Sequence, residues 1–500
     1  MKIKPKKKND NTHMRKIGII ILGLLFAFAT EAQYVDYVHQ VSQQYNNGTA
    51  RFMSMGGAFG ALGGDLTTLS YNPAGLGIYR RADFGLTTKY FKGSTDASFL
   101  GKTSTDNATK FNINNFGIAI PIKLSYKDKG IVSYNIGLSF NRTNDFENNF
   151  SFRGNNSKSS LLDVFLSGID GTNPEQLNGF GSQLAFNTFL IDTIPGTNNL
   201  YGMINSLNGK DKLQGRDVEV TGYNREWAIS QAVNISNKVF IGATLGISSF
   251  ERISTFTHNE ATINNTSDKL VDYDYYYRTK TWGTGYNLKV GVIAQPIDFI
   301  RLGAAVHTPT VYKVNEEYSA NINARFTDGV ESWSSPNGSY EFRAVTPLRA
   351  MFSTAFIFKT YGLLSIDYEL VDYSMMKLKT DNSFSNDSFS TDNRQIRDTY
   401  KSVGNIKIGG ELNFGQLSLR GGYAFYPSPV KDGFINSGSD RQIFSGGFGY
   451  REATYYIDFA YAYTAYDSEY VMYGTDKWSA PITKLTNNNH QFMMTFGLRF

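Results

Sequence analysis

The chain has 500 residues, of which 15% are aromatic, with Phe 37 and Tyr 32 against Trp 4, and it carries Gly 48 against Pro 12; that mix favours strands and glycine-tolerant turns over a helix-rich enzyme. It contains no cysteine, which excludes disulfides and thiolate metal sites and suits a chain that crosses an oxidising periplasm unfolded. A formal net charge of +5, with no basic block beyond the extreme N-terminus, gives no electrostatic footprint for nucleic acid.

Residues 1–32 read as an export signal. A basic, polar prefix precedes Met14, a candidate for the true start; Arg15 and Lys16 then lead into the apolar run Ile17 to Ala29, and Thr30-Glu31-Ala32 supplies small residues for cleavage before Gln33. The run is shorter than the roughly 20 apolar residues a spanning helix needs, which counts against a membrane anchor. With a mean hydropathy of -0.32 and no later apolar stretch of that length, the exported chain is either soluble or a β-barrel, because only helices and closed barrels satisfy the backbone inside lipid.

Residues 33–82 do not alternate. They form a Gly-rich segment too short for a stable core of its own, which becomes sensible as a plug folded inside a barrel. Its centre runs from Ala50 and Arg51 through Met55-Gly56-Gly57-Ala58 to Gly63-Gly64-Asp65, followed by Asn72-Pro73-Ala74-Gly75. These glycines do not fit G-x-G-x-x-G or G-x-x-x-x-G-K-[ST], and no βαβ unit surrounds them, so a phosphate-binding loop is set aside.

From Asp83 to the end, period-2 alternation marks about fourteen segments, near 83–91, 112–124, 131–143, 217–234, 239–254, 273–295, 299–313, 340–358, 362–378, 401–414, 416–427, 441–451, 454–465 and 489–500. In the last, Phe492, Met494, Phe496, Leu498 and Phe500 share one face, and Gln491, Met493, Thr495, Gly497 and Arg499 the other. Short connections, such as Ser236-Asn237-Lys238, Lys359-Thr360-Tyr361 and Gly415-Gln416, alternate with long polar ones at 144–216, 255–272, 314–339, 379–400, 428–440 and 466–488. That is the pattern of a transmembrane antiparallel β-barrel with long extracellular loops over residues 83–500. A soluble β-sandwich would also alternate, but several segments persist for about 10 residues where sandwich strands average about 5–6. Phe500, closing an amphipathic strand, has the form of the terminal signature read by barrel-assembly machinery.

The run Arg51 to Gly75, with its Met55-Gly56-Gly57-Ala58, Gly63-Gly64-Asp65 and Asn72-Pro73-Ala74-Gly75 motifs, resembles the N-terminal hatch of the FadL family of outer-membrane transporters. Weaker echoes lie in Arg301 to Pro309, in Leu419-Arg420-Gly421-Gly422-Tyr423 and in Phe496-Gly497-Leu498-Arg499-Phe500. The resemblance implies an all-β, fourteen-stranded barrel plugged by the hatch in the outer membrane of a Gram-negative bacterium. It implies transport of hydrophobic small molecules, long-chain fatty acids or aromatic hydrocarbons, by capture in extracellular loops, passage to an apolar lumen pocket and hatch-gated release into lipid. Gly56, Gly57, Gly63, Gly64, Asp65, Asn72, Pro73, Ala74 and Gly75 would form the gating part of the hatch, its glycines and Asn72-Pro73 setting the hinge geometry, with Arg51 or Asp65 as a candidate tether to lumen charges; the alternative for Asn72 to Gly75 is a stable turn with no gating role. The long stretch 144–216 departs from the family pattern, and its Leu161-Leu162 and Val164-Phe165-Leu166 either catch ligand or cover the mouth.

Three other readings stand beside transport. Lumen-facing Asp367, Glu369, Lys407, Glu411 and Arg420 would suit a passive porin or structural barrel as well as anchoring a hatch. His258, His307 and His490, with Tyr273 and Tyr275 to Tyr277, offer ligands for a haem or aromatic-compound receptor. An enzyme has little support: there are five histidines, His13 and His39 precede the barrel, and no G-x-S-x-G or H-E-x-x-H occurs. No cofactor and no metal site are expected.

Overall fold

The structure, a computed structural model, describes residues 28–500 apart from 46, 126, 128, 264–268, 381–388 and 475–478. Most of the export signal read at 1–32 therefore lies outside the described residues. Fourteen antiparallel strands form the wall: β1 (Asp83–Phe99), β2 (Lys102–Lys123), β3 (Ile131–Asp145), β4 (Lys212–Ile235), β5 (Val239–Thr262), β6 (Leu270–Ile297), β7 (Ile300–His307), β8 (Arg349–Phe358), β9 (Gly362–Asp372), β10 (Ser402–Phe414), β11 (Leu417–Tyr426), β12 (Arg441–Arg451), β13 (Tyr455–Tyr470) and β14 (Thr483–Arg499). Each pairs with its neighbours, and β1 pairs with β14 from Asp83↔Arg499 to Ser98↔Lys484, so the sheet closes without an edge. The count agrees with the alternation in the sequence.

Burial separates this wall from a soluble sandwich. Along β9, Leu364, Ile366, Tyr368 and Leu370 are exposed while Ser365, Asp367 and Glu369 between them are buried. The same inversion holds for Ile406 and Ile408 against Asn405 and Lys407, and for Phe459 against Asp458. Apolar side chains facing outward are stable only against lipid, so the exterior is a membrane surface and the polar set lines a lumen. A girdle of rings marks its upper limit on one side: Phe116 stacks on Phe140 at 5.1 Å and Trp227 meets them edge-on at 5.3 and 5.4 Å. Among the described residues no helix is long and apolar enough to cross a membrane.

The tight connections share one end with Ala82 and Phe500, whose backbones exchange hydrogen bonds of 3.0 and 3.1 Å. Ser236 and Asn237, both with positive φ, make the two-residue turn whose twist suits a hairpin. At the other end the structure differs from the expected loops. Residues 92–111, which carry no apolar alternation, continue β1 and β2 to a turn at Leu100 and Gly101. Most of 255–272 and 314–339 is likewise strand, with Val311–Phe326 running beside β6 and folding back through Gly329–Ser334 and Gly338–Val345. Above the bilayer the outer face of a strand meets water instead of lipid, so the ladder continues after the outward hydrophobic period stops. Conversely, 299–313 and 340–358 are each two strands, broken at Pro309 and Pro347, which cannot donate to a ladder. Residues 157–211 form a roof of short helices and strands whose Leu161, Leu162, Phe165, Leu184 and Leu190 pack on Phe99, Phe152, Tyr273 and Ile322 of the tall wall, to which Asn148–Asn156 adds a further strand beside β4.

Candidate functional site

The described part of 33–82 lies inside this ring. A helix α1 (Phe28–Ser42), which spans the position expected for cleavage before Gln33, packs Val35, Tyr37, Val38 and Val41 against Phe250, Tyr312, Phe342 and Tyr400 in the upper lumen. Below it α2 (Ala50–Ser54) is capped by Thr49, whose hydroxyl accepts from Phe52 N at 3.1 Å and donates to Asp65 Oδ2 at 2.6 Å. Asp65 Oδ1 in turn accepts from Thr67 N at 2.9 Å, just ahead of α3 (Thr68–Tyr71). Asn72 Oδ1 accepts from Ala74 N at 3.1 Å, capping the 3-10 turn Pro73–Ile78, while its Nδ2 donates to Gly60 O at 2.6 Å. Gly63 has φ +65 and lies against Gly75, where a Cβ would come within 2.7 Å of the Gly75 Cα, so only glycine fits. Gly56, Gly57 and Gly64 also have positive φ, and Gly64 faces open space. All ten candidate residues thus fall in one buried, internally hydrogen-bonded unit.

The wall is shaped to receive that unit. Gly242, Gly291, Gly303, Gly409 and Gly422 face inward, and a Cβ on any of them would overlap Pro73, Asn72, Gly60, Met55 or Gly56 respectively. Polar contacts fix the register. Arg51 makes a two-pronged pair with Glu411, Nε to Oε2 at 2.9 Å and Nη2 to Oε1 at 3.1 Å; Arg420 bridges Glu411 and Asp458 at 2.6 Å each, and Arg451 reaches Asp458 at 3.4 Å. Asp367 accepts from Gly60 N at 2.8 Å, Lys407 donates to Tyr71 OH at 3.0 Å, and Arg349 joins Glu369 to the Ser42 carbonyl. Asp367, Glu369, Lys407, Glu411 and Arg420 therefore face the lumen and all contribute to holding the segment.

Between α1 and the extracellular connections lies a cavity of about 350 Å³, within the usual range for small-molecule sites. Its lining is not the uniformly apolar one the family implies. Asp36, His39, Arg252, Tyr400, Arg441 and Tyr466 contribute to it, and Arg441 is sandwiched between Tyr45 and Tyr466 with ring centroids at 3.8 and 3.9 Å. Burial pushes the Asp36 carboxyl up to about 6, against the opposing effects of the Tyr400 hydroxyl and Arg252. Burial, assisted by Arg441, lowers His39 to about 3, so its ring is neutral. The sequence reading passed over these residues. Arg252 was findable in principle, as a charge on the inward face of β5 two positions beyond the buried Phe250; Asp36 and His39 stand in a segment with no period-2 frame to place them.

The remaining histidines have structural settings. His258 hydrogen-bonds Glu260 at 3.0 Å beneath the roof, where Glu260 also accepts from Ser160 Oγ and Leu161 N. His307 meets Tyr71 O at 2.8 Å in the lumen. His490, a candidate haem ligand, is on the outer face, bonded to Tyr461 OH at 2.8 Å.

Residues 194–500 match the family described as outer membrane protein transport protein (OMPP1/FadL/TodX), which is more than half of the chain. Among solved structures, a Pseudomonas aeruginosa FadL homologue is similar at 14% identity and TM-score 0.58, covering 91% of this chain and 99% of its own. The Pseudomonas putida toluene transporter TodX is similar at 12% identity and TM-score 0.52, with 92% and 100% covered, and the Ralstonia pickettii toluene transporter TbuX at 14% and 0.50, with 91% and 99% covered. These likenesses show the fold; no curated protein matches the chain. With its closed fourteen-stranded wall and lipid-facing exterior, the chain belongs to the OMPP1/FadL/TodX family of outer-membrane transport proteins.

Proposed function

We propose that the protein transports amphipathic hydrophobic acids, long-chain fatty acids among them, through a lumen gated by residues 33–82 acting as a hatch. The observation that carries this reading is the cavity beside α1, which joins aromatic and aliphatic walls to Arg252 and Arg441 directly above the segment that fills the lumen. Apolar contacts would supply most of the affinity, at about 0.8 kcal/mol per buried methylene. The arginines would favour a carboxylate at one end of the chain, which a plain hydrocarbon lacks. Release then requires the hatch to leave its seat, breaking the Arg51–Glu411 pair and the Gly60–Asp367 and Tyr71–Lys407 contacts; Gly56, Gly57, Gly63 and Gly64 give the unit its fold rather than a hinge. The family match supports a channel over an enzyme. Phe500, 69% exposed at the end of β14, is the side chain we expect assembly machinery to read.

The test is uptake by cells lacking their own transporter, given labelled long-chain fatty acid or labelled toluene. Fatty-acid uptake by the intact protein that falls in Asn72→Ala and in Arg441→Gln supports the proposal. Toluene uptake without fatty-acid uptake, by a barrel shown to be inserted, removes it.

A further inference from the structure

Part of the wall of the cavity beside α1 presents amides and a hydroxyl that the protein does not engage. The side chains concerned lie in consecutive rows: Phe91↔Gln491 on β1 and β14, then Asn489↔Thr464↔Ile443 across β14, β13 and β12, then Tyr466↔Arg441. Gln491, Asn489 and Thr464 line the cavity together with Gln40 of α1, and none of these four side chains hydrogen-bonds another described residue. Gln491 Oε1 is buried with no partner among the described residues. A carboxamide offers two donors and an acceptor, and leaving such a group unbonded away from bulk water costs stability.

Arg441 completes the patch. The Tyr45 and Tyr466 rings cover the two faces of its guanidinium, and its N–H edge has neither a carboxylate nor a hydrogen-bond acceptor among the described residues. Lumen cations lower down are matched, Arg51 with Glu411, Lys289 with Glu226 and Arg349 with Glu369. A free guanidinium edge is shaped for a planar carboxylate. An alkyl carboxylate alone would satisfy it and leave the neighbouring amides with nothing to bond, whereas an acid carrying several hydroxyls would satisfy both. Phe91, buried in the wall, adds an aromatic surface of the kind that attracts the C–H groups of a sugar.

We propose that the cavity receives an acidic sugar head, a hexuronic acid or a similarly hydroxylated acid, joined to an alkyl chain, so that among hydrophobic acids those bearing hydroxyls are the preferred cargo. The inference rests on this cavity being the transport site proposed above. The carboxylate meets Arg441, the hydroxyls bond Gln491, Asn489 and Thr464, and the alkyl chain lies along Val430, Ile435 and Ile443, which also line the cavity. A hydroxyl both donates and accepts, so it suits either end of an amide. A site built to bond hydroxyls discriminates against a ligand that lacks them, because its own polar groups are then left unpaired.

The full-length protein in lipid nanodiscs is titrated calorimetrically with octyl β-D-glucuronide, octanoate and octyl β-D-glucoside, and the heats from empty nanodiscs are subtracted. The glucuronide should bind roughly 25-fold more tightly than octanoate, from two added hydrogen bonds of about fivefold each. The glucoside, which keeps the hydroxyls and lacks the carboxylate, should be about tenfold weaker than the glucuronide. In the double variant Asn489→Leu, Gln491→Met the ratio of glucuronide to octanoate affinity should fall to near one, and the octanoate heat shows that the cavity is still formed. Octanoate binding as tightly as the glucuronide to the intact protein overturns the proposal and leaves transport of hydrophobic acids standing, while binding of none of the three removes both. A glucoside as tight as the glucuronide, or a preference that persists in the double variant, also overturns it.

Discussion

Removing either partner of the Arg51–Glu411 pair should loosen the N-terminal segment, but by unequal amounts. Arg51 is 12% exposed and Glu411 7%. Arg51→Ala leaves Glu411 still bonded to Arg420 and Asp458 still bonded to Arg420 and Arg451, a balanced set of two cations and two carboxylates. The loss is then that of one two-pronged charged hydrogen bond, about 2 kcal/mol. Glu411→Ala leaves Arg51, Arg420 and Arg451 facing Asp458 alone, and a buried charge without its partner costs about 4 kcal/mol. The absence of native cysteine provides the assay. Ser54, fully buried against the wall, is replaced by cysteine, and its labelling rate by a water-soluble thiol reagent follows how often the segment leaves its seat. At 1.4 kcal/mol per factor of ten, Arg51→Ala should speed labelling about 30-fold and Glu411→Ala several hundredfold. Equal effects, or a larger one for Arg51→Ala, would refute the view that the surplus cation on the segment is held by a wall that is otherwise internally balanced.

Three further outcomes are expected. Gly422→Ala, whose Cβ would overlap the Gly56 backbone, should expose the Ser54→Cys probe, whereas adjacent Gly421→Ala, with nothing within 4 Å, should behave as the parent does. Asn72→Ala leaves the Gly60 carbonyl and the Ala74 amide without their buried partner, so labelling should rise about 10-fold, from a loss of about 1–2 kcal/mol. Because the Asp36 carboxyl titrates near 6 rather than near 3.8, the cavity loses a negative charge as pH falls through about 6; an alkyl sulfonate, which stays ionised, should bind more tightly at pH 5 than at pH 7 by fluorescence competition, and Asp36→Asn should abolish the difference.

Lipid imposes a strict period of two, so the wall could be read wherever strands cross the bilayer, as in 362–370 and 489–500. The reading failed where that constraint ends. Residues 92–111 and 255–262 are strand whose outer face meets water instead of lipid, and their Ser, Thr and Asn content reads as loop. Pro309 and Pro347 divide runs whose side-chain pattern is continuous. In the candidate site, the glycines and Asn72 stood out because a packed turn demands those residue types. The seat they occupy did not, because inward glycines such as Gly303 and Gly409 look the same in one dimension as outward ones such as Gly421. Asp36 and His39 on α1, Arg252 and Arg441 come from three separate parts of the chain and meet only when the ring closes.

The strands are of very unequal length, and this tilts the mouth of the barrel. β4, β5 and β6 have 24, 24 and 28 residues, while β8 and β11 have 10. At about 3.4 Å per residue and a tilt near 45°, ten residues rise about 24 Å, the thickness of the apolar band, and twenty-four rise nearly 60 Å. The low rim is therefore flush with the membrane surface, and the tall side stands over it like the back of a chair. The connections that border the cavity at Tyr400 and at Ser428 to Ile435 spring from that low rim. A molecule already dissolved in the outer leaflet would have only a short climb to reach them, whereas one arriving from bulk water on the opposite side meets a wall.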